Sequence, residues 1–400
     1  MANTGNFPGK WELKKCEVAR SGSGLDITAL VSEFNVYASI IDPTIVGELL
    51  IIDGQNLLSG MPVQGGDILK LTVEITGEIR EYKLQIAQVK NISDLETQRM
   101  YVLQCVSIFF FESFHQKFSQ SFKGPLSETA LTIFKKYTDE KYGIWEGSKG
   151  SETVIIPNWN PIKALTWLAA RSESLEQAVR FRFFQDTKGK FNFMPIEKAL
   201  TNYKDNPPFE FVYRGNKSGI GSATQTDEDF HAIKHLNFNP SSYDLGKALR
   251  EGYLKARSYG INITNKTQTI IDYDYFAEFD SKDYLNDFPS YYKKDFNVGK
   301  IKMDLITSSG KQKSISDLRR TTVTDYNQMV QITVFGNSEI DIGQVVDLDI
   351  PNPDPANKTD QDKLWSGKYY VIGKRDLYTG DNCNMVLDCA KESMDMQLWC

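Results

Sequence analysis

Val334-Phe335-Gly336-Asn337-Ser338-Glu339-Ile340-Asp341-Ile342-Gly343-Gln344-Val345-Val346-Asp347-Leu348-Asp349-Ile350-Pro351 is the stretch on which the fold of this 400-residue chain turns. Its second half, Gly343 to Pro351, reads as a strand. So do Met329 to Phe335 before it, and Tyr369 to Arg375 and Met385 to Ala390 after it. Each run is rich in β-branched and aromatic residues and is bounded by turn formers. Pro351 to Pro355 and the polar run to Asp362 read as a loop. An earlier segment has the same order of parts. Gly66-Asp67-Ile68-Leu69-Lys70-Leu71-Thr72-Val73 reads against Gly343 to Ile350. Tyr82-Lys83-Leu84-Gln85-Ile86 reads against Tyr369-Tyr370-Val371-Ile372, and Val102-Leu103-Gln104-Cys105 against Val386-Leu387-Asp388-Cys389. Alternating strands resemble one another by default, so the shared order of all three is what predicts one β-module used twice.

Outward from these anchors, Lys10 to Phe118 reads as β. Its strands are Leu13 to Arg20, Ile27 to Tyr37, Val46 to Asp53, Asp67 to Ile75 and Tyr82 to Val89. A last strand, Met100 to Val106, runs into Ile108-Phe109-Phe110-Phe111. The character changes at Gly124-Pro125. Leu126, Ala130, Ile133, Phe134 and Tyr137 fall at helical spacing, with Ser127 as N-cap and Gly143 as stop. Asn160-Pro161 starts a second helix, and Arg180 to Asp186 with Phe191 to Pro195 form a hairpin around Gly189. The β signal returns at Phe209 to Tyr213 and His231 to Phe238. A helix over Leu245 to Glu251 meets Gly252. Tyr253 to Thr264 and Thr267 to Phe276 then form a long hairpin, and 280–325 reads as irregular.

Composition excludes several classes. Lys and Arg number 46 against 52 Asp and Glu, a net charge of −6, which is the wrong sign for a surface built to grip phosphate backbones. No run of about 18 apolar residues predicts a membrane helix, and Met1 to Lys10 lacks the layout of a signal peptide. The five cysteines form no Cys-x-x-Cys pair. Cys383 and Cys389 lie about 20 Å apart along one strand, too far for a disulfide. Reduced, structural thiols made in a cytosol are the simplest reading, which makes the Asn-x-Ser/Thr triplets at Asn91, Asn216, Asn262, Asn265 and Asn357 chance matches.

Catalytic signatures are missing. There is no phosphate-binding Gly-x-x-x-x-Gly-Lys-Ser/Thr, no Gly-x-Ser-x-Gly and no His-Glu-x-x-His. Gly219-Ile220-Gly221 lacks a third glycine and reads as a loop. His231 and His235 sit in a strand, where positions four apart are about 13 Å apart and share no metal. Asp272, Asp274, Glu278, Asp280 and Asp283 read as a solvated strand edge, because no calcium-loop glycine is in register. Trp145, Trp159, Trp167 and Trp365 are of the type that stacks on sugars, but Trp167 lies on a helical apolar face and reads as core, as do most of the others. No catalytic, cofactor-binding or metal-binding residue is expected, and no pair of carboxylates stands out as a hydrolytic pair.

The Val334–Pro351 stretch resembles the strand pair of tail hub proteins, the baseplate hubs of contractile-tailed bacteriophages related to the base of type VI secretion spikes. Tyr369 to Ile372 with Asn384 to Leu387 is similar to the closing strands of that family. Leu249-Arg250-Glu251-Gly252-Tyr253 with the hairpin after it, and Gly47 to Val73, match further pieces. The resemblance implies a mainly β fold with α+β insertions. It consists of two tube-like antiparallel β-barrel or sandwich domains plus a helix-rich domain. The expected boundaries are a first tube-like domain at 1–120 and a helix-rich insertion at 121–206. A discontinuous second tube-like domain takes 207–240 and 320–392, with a hairpin insertion at 241–319 and a tail at 393–400. The resemblance also implies a homotrimer of pseudo-sixfold symmetry. Its expected partners are a trimeric spike, a tail tube or tube-initiator protein, wedge proteins of the baseplate and a tape measure protein, with DNA in transit only and no membrane insertion. It implies no enzyme and no cofactor, and it places the chain in the virion tail, made in the host cytoplasm. The rival readings are a tail-associated cell-wall hydrolase and a tail-tip glycan-binding module. If the chain lines a passage for DNA, its acidic residues should face the bore.

Overall fold

The structure, a computed structural model, describes residues 9–396 apart from 21–22, 56–62, 76, 96, 176–179, 199–208, 214–229, 240–243, 282–283, 291–296, 307–327, 354–360 and 381. Gly219 to Gly221, Asn216, Asp283, Asn357 and Cys400 lie outside the described residues.

The first half holds β1 (Trp11–Arg20), β2 (Ser23–Asp26), β3 (Val31–Ser39), β4 (Val46–Asp53), β5 (Ile68–Ile75), β6 (Glu78–Leu95) and β7 (Gln98–Ser107). In space they run β2-β1-β5-β6-β7-β4-β3, every neighbour antiparallel. In β5 the period of two puts Leu69, Leu71, Val73 and Ile75 into the core. β3 starts later than the sequence predicts. Asp26 Oδ1 accepts from both the amide and the hydroxyl of Thr28, at 2.9 and 2.6 Å, and this local bond holds Thr28–Leu30 in a 3-10 turn.

β7 passes directly into α1 (Ile108–His115), a helix inside the Lys10 to Phe118 stretch that reads as β. Phe109 packs edge-on against Phe134 and Phe191, with ring centroids 5.6 and 5.3 Å away. The chain therefore enters a second core before the expected boundary at residue 120. That unit contains β8 (Phe118–Gly124), α2 (Leu126–Tyr137), β9 (Tyr142–Trp145), β10 (Glu152–Trp159), α3 (Pro161–Arg171), β11 (Phe181–Gln185) and β12 (Phe191–Pro195). Ser127 does not cap α2. It lies inside the helix, and its hydroxyl accepts from the Ser148 amide at 2.8 Å, while Pro125 holds the cap position. The helix stops at Tyr137 because Thr138 is extended, and Gly143 lies in β9. Asn160 caps α3 as predicted, its Oδ1 accepting from the Lys163 amide at 2.8 Å, with Pro161 in the first turn.

The second half contains β13 (Phe209–Tyr213), β14 (Ala232–Ile233) and β15 (His235–Phe238). An insertion follows, made of α4 (Leu245–Glu251), β16 (Lys255–Asn262), β17 (Thr267–Asp274), α5 (Tyr275–Ser281), β18 (Phe288–Pro289) and β19 (Lys300–Ile306). Then come β20 (Gln328–Phe335), β21 (Val345–Asp349), β22 (Gly367–Thr379), β23 (Asn382–Lys391) and β24 (Ser393–Met394). The order β13-β21-β22-β23-β20-β15 reproduces β1-β5-β6-β7-β4-β3 position for position along the chain. The matched glycines behave alike. Gly66 and Gly343 have φ of 99° and 79°, and each donates its amide at 2.8 Å, to Ile86 O and Val371 O respectively.

Two expectations change here. His231 to Phe238 is not one strand: the chain breaks at Lys234, so that β14 pairs with β13 and β15 with β20. The 280–325 segment is not irregular throughout, since β19 runs parallel to β16 and β18 pairs with β24. Ser393 and Met394, expected to begin a tail, are therefore buried strand residues.

β3 and β22 pair antiparallel from Ser39↔Gly373 to Glu33↔Thr379. This joins both halves into one 14-stranded sheet over a single apolar core. Phe34 stacks on Tyr378 across the seam, ring centroids 5.5 Å apart. Smaller cores sit inside the helix-rich unit and beneath the β16–β17 hairpin.

Candidate functional site

Among the described residues, the strand alternation gives one broad face whose side chains are mostly half-exposed. It follows β6-β7-β4-β3-β22-β23-β20-β15, eight strands that are all antiparallel to their neighbours. The register lines up side chains across it. Val106, Val46, Tyr37, Arg375, Val386, Thr333 and His235 form one rung. Gln88, Gln104, Glu48, Asn35, Leu377, Asn384 and Phe335 form the next. Polar neighbours are tied to each other. Gln88 Nε2 donates to Gln104 Oε1 at 2.8 Å, Tyr37 OH to Glu48 at 3.2 Å, Asn35 Nδ2 to Glu33 at 2.6 Å, and Arg375 Nε to Asn35 Oδ1 at 3.0 Å. Gln331 Nε2 donates to Asp388 at 2.9 Å. Arg375 also lies 5.2 Å from the Tyr37 ring centroid.

The face thus mixes polar side chains bonded to one another with apolar ones such as Val46, Val106, Val386, Leu377 and Phe335. Of the residues on the two rungs only Glu48 is acidic and Arg375 basic, so the acidic bias expected of a bore is not concentrated there. Its ends are single edges among the described residues. β15 pairs only with β20, and the far part of β6 pairs only with β7.

Two buried polar junctions hold the insertions to this sheet. In the first, Arg80 of β6 reaches the Ser338 carbonyl and donates to Thr187 Oγ1 at 3.1 Å, and it lies 3.7 Å from Asp376 of β22. Thr187, from the turn between β11 and β12, donates through its hydroxyl to Asp341 at 2.9 Å. Lys374 Nζ donates to Ile340 O at 2.6 Å and lies 3.3 Å from Asp376. Burial pushes the Asp376 carboxyl above its ordinary value, against the pull of Lys374 and Arg80. In the second junction, Glu392 accepts from the Leu285 amide at 3.2 Å and lies 3.4 Å from Tyr370 OH. Its backbone carbonyl accepts from Tyr275 OH at 2.8 Å. Arg180, paired with Glu197 at 2.9 Å, adds its field from the helix-rich unit. Both junctions draw on residues more than 100 positions apart, and this separation is why neither was read from the sequence.

The residues singled out in the sequence fall elsewhere. His231 Nδ1 lies 2.7 Å from Glu210 O, and His235 stands opposite Thr333. Among the described residues no group of three His, Cys, Asp or Glu is placed to hold a metal ion. The acidic run is split: Asp272 pairs with Arg257 at 2.6 Å, Asp274 pairs with Lys255 at 3.1 Å, and Asp274 also accepts from the Phe276 amide at 3.0 Å. Trp145 stacks on Phe193 at 5.1 Å and packs against the core, while Trp159, Trp167 and Trp365 are partly exposed and packed at its margins. Cys16, Cys105, Cys383 and Cys389 are free and buried, and burial raises each thiol, that of Cys16 to about 12.

No protein-family model and no curated sequence matches the chain. Solved structures do match it. A tail protein from Neisseria meningitidis superposes with a TM-score of 0.58 at 11% identity, covering 96% of this chain and 97% of that one. The 43 kDa tail protein of prophage MuSo2 from Shewanella oneidensis gives 0.54 at 10% identity, covering 96% and 100%. A prophage tail protein from Listeria monocytogenes gives 0.51 at 13% identity, covering 95% and 96%. Over nearly its whole length, this chain has the fold of phage-type tail proteins.

Proposed function

We propose that the chain is a structural component of a contractile tail: the baseplate hub, three copies of which form a ring between a sixfold tail tube and a threefold cell-puncturing spike. The observation that carries this reading is the eight-strand open face, built jointly by two halves of identical strand order. Eight is even, so the end strands β6 and β15 run in opposite directions. A second copy placed head to tail then joins in the antiparallel sense, with no parallel seam and neither of these two edges left open. Such contacts are heterologous and close into a ring when the rotation permits. Three chains bring six like halves around a threefold axis, which reconciles sixfold and threefold neighbours with one type of subunit.

The action is mechanical. The ring holds the spike until contraction drives tube, hub and spike into the envelope, and DNA then passes through the bore. A face with few charges, whose polar side chains are bonded to one another, suits a wall that DNA slides past without being held. The helix-rich unit and the β16–β17 hairpin unit stand outside this wall and meet wedge proteins, while the tape measure protein ends against the ring. The test is the mass of the purified assembly by native mass spectrometry. Three copies of the 45.5 kDa chain, with ring-shaped particles in the microscope, are expected. A monodisperse monomer at micromolar concentration that forms no ring with tube or spike protein would sink the reading. Clearing of peptidoglycan by the purified chain would replace it with the hydrolase.

A further inference from the structure

We propose that the exposed side of α3 in the helix-rich unit is a docking stripe for an extended acidic segment of a partner protein. Trp159, Lys163, Trp167 and Arg171 follow one another at intervals of four, and so lie along one side of the helix and its lead-in strand. They alternate aromatic and cationic. Lys163 Nζ is 4.9 Å from the Trp159 ring centroid, the two indoles meet edge-on at 5.5 Å, and the Arg171 guanidinium lies 4.7 Å from the Trp167 ring. The opposite side of the helix, Ala164, Leu165, Leu168 and Ala169, is fully committed to the core. Trp159 and Trp167 pack against the margin of that core and keep part of each ring exposed, beside the exposed Lys163.

Charge complementarity identifies the occupant. Several arginines of this chain are paired with carboxylates within it: Arg20 with Asp67 at 2.5 Å, Arg99 with Asp94 at 2.5 Å, Arg180 with Glu197 at 2.9 Å and Arg257 with Asp272 at 2.6 Å. Lys163 and Arg171 have no carboxylate partner among the described residues, and the buried Arg171 Nε–H has no acceptor. Both cations are held only against aromatic faces, an arrangement that positions them without discharging them. A carboxylate supplies the counter-charge that this guanidinium lacks, through charge-assisted hydrogen bonds to its outer nitrogens. The indoles supply apolar contact area of the kind that dominates interface energetics.

The geometry also sets the spacing of the partner's charges. Lys163 and Arg171 are eight positions apart on the helix, about 12 Å along the axis. An extended segment covers that distance in about four residues. The preferred partner thus carries two acidic residues separated by three others, with small or apolar residues between them to lie on the indoles. This inference concerns the insertion alone and holds whether or not the chain forms a ring.

The experiment titrates the full chain by calorimetry with a decapeptide containing Glu-Ala-Ser-Ala-Glu, and with a control decapeptide in which the two Glu are adjacent. Binding in the range of about 10–100 μM at 50 mM salt, several-fold weaker at 300 mM salt, is expected for the first peptide. The double change Lys163→Glu and Arg171→Glu should lower that affinity by about tenfold or more with circular dichroism unchanged, and Lys163→Arg should retain it. Equal binding of both peptides, undiminished binding by the double variant, or no binding at millimolar peptide would each overturn the proposal. So would a single-stranded DNA octamer that binds more tightly than the spaced peptide, because it would make the stripe a phosphate-binding surface instead.

Discussion

The two halves of the main sheet share an order of six strands but not a way of using it. In the first half the connections are short, and the opening strand β1 is antiparallel to its neighbour β5. In the second half a whole unit is inserted between β15 and β20, and the opening strand β13 is parallel to β21. The shared order shows that the sheet depends on which strands pair, and hardly on how much chain lies between them. Closing a longer loop costs little more entropy, about 0.6 kcal/mol per doubling of length, provided that its ends stay at neighbouring strand ends. The matched final strands make the same point. β7 ends in Ser107 and runs straight into the helix-rich unit, whereas β23 ends in Lys391 and runs into Glu392 at the second junction. In both halves the end of this strand meets an insertion, directly at Ser107 and through the Glu392 carboxylate on the Leu285 amide after Lys391.

The sharpest way to break this pairing of halves is at the seam. Arg80→Met removes the one arginine of the first half that reaches Asp376 of the second. It leaves that buried carboxylate with Lys374 alone, an expected loss of about 3–5 kcal/mol in chemical denaturation. If the halves stabilise each other, fluorescence and circular dichroism should still report one shared transition at lower denaturant. A first transition confined to one half would mean that the seam is not what couples them.

Making the two final strands alike gives a second, intermediate test. Burial lowers the Lys391 ammonium from 10.5 to about 7. Between those values the folded state binds fewer protons than the unfolded chain, so stability rises with pH from about 7 towards 10.5, and the full cost of the buried charge is present below about 7. Lys391→Met should raise stability at pH 7 by on the order of 1–2 kcal/mol and flatten that rise. An unchanged slope of stability against pH would show that Lys391 stays protonated, held by Ser366 O at 2.6 Å and the Tyr369 ring at 4.7 Å.

The smallest effect separates packing from hydrogen bonding at the seam. Tyr378 stacks on Phe34 and its hydroxyl lies 3.2 Å from that of Tyr82. Tyr378→Phe keeps the ring and removes that contact, for an expected loss of about 1 kcal/mol. A loss several times larger, read from the same denaturation curves, would place the weight of the seam on its polar network.

Much of this was legible in the linear chain, because it is local. A period of two, glycines able to adopt positive φ and Asn160-Pro161 at a helix start depend on neighbours a few residues away. β5, Gly66, Gly343 and α3 are where the sequence puts them. Where reading by neighbours failed, a competing contact had decided the matter. Asp26 bent the entry to β3, and Ser127 turned to Ser148 instead of capping α2.

The sequence by itself determined the mainly β class, the repeated order of parts and the absence of a recognisable catalytic motif, since each is written in short-range pattern and residue type. Only the tertiary structure decided that β3 lies beside β22, that Arg80 meets Thr187 and Asp376, and that eight strands share one open face. These are encounters between residues some 100 to 340 positions apart. Strand alternation specifies a buried side and an open side, but not which distant strand completes the sheet.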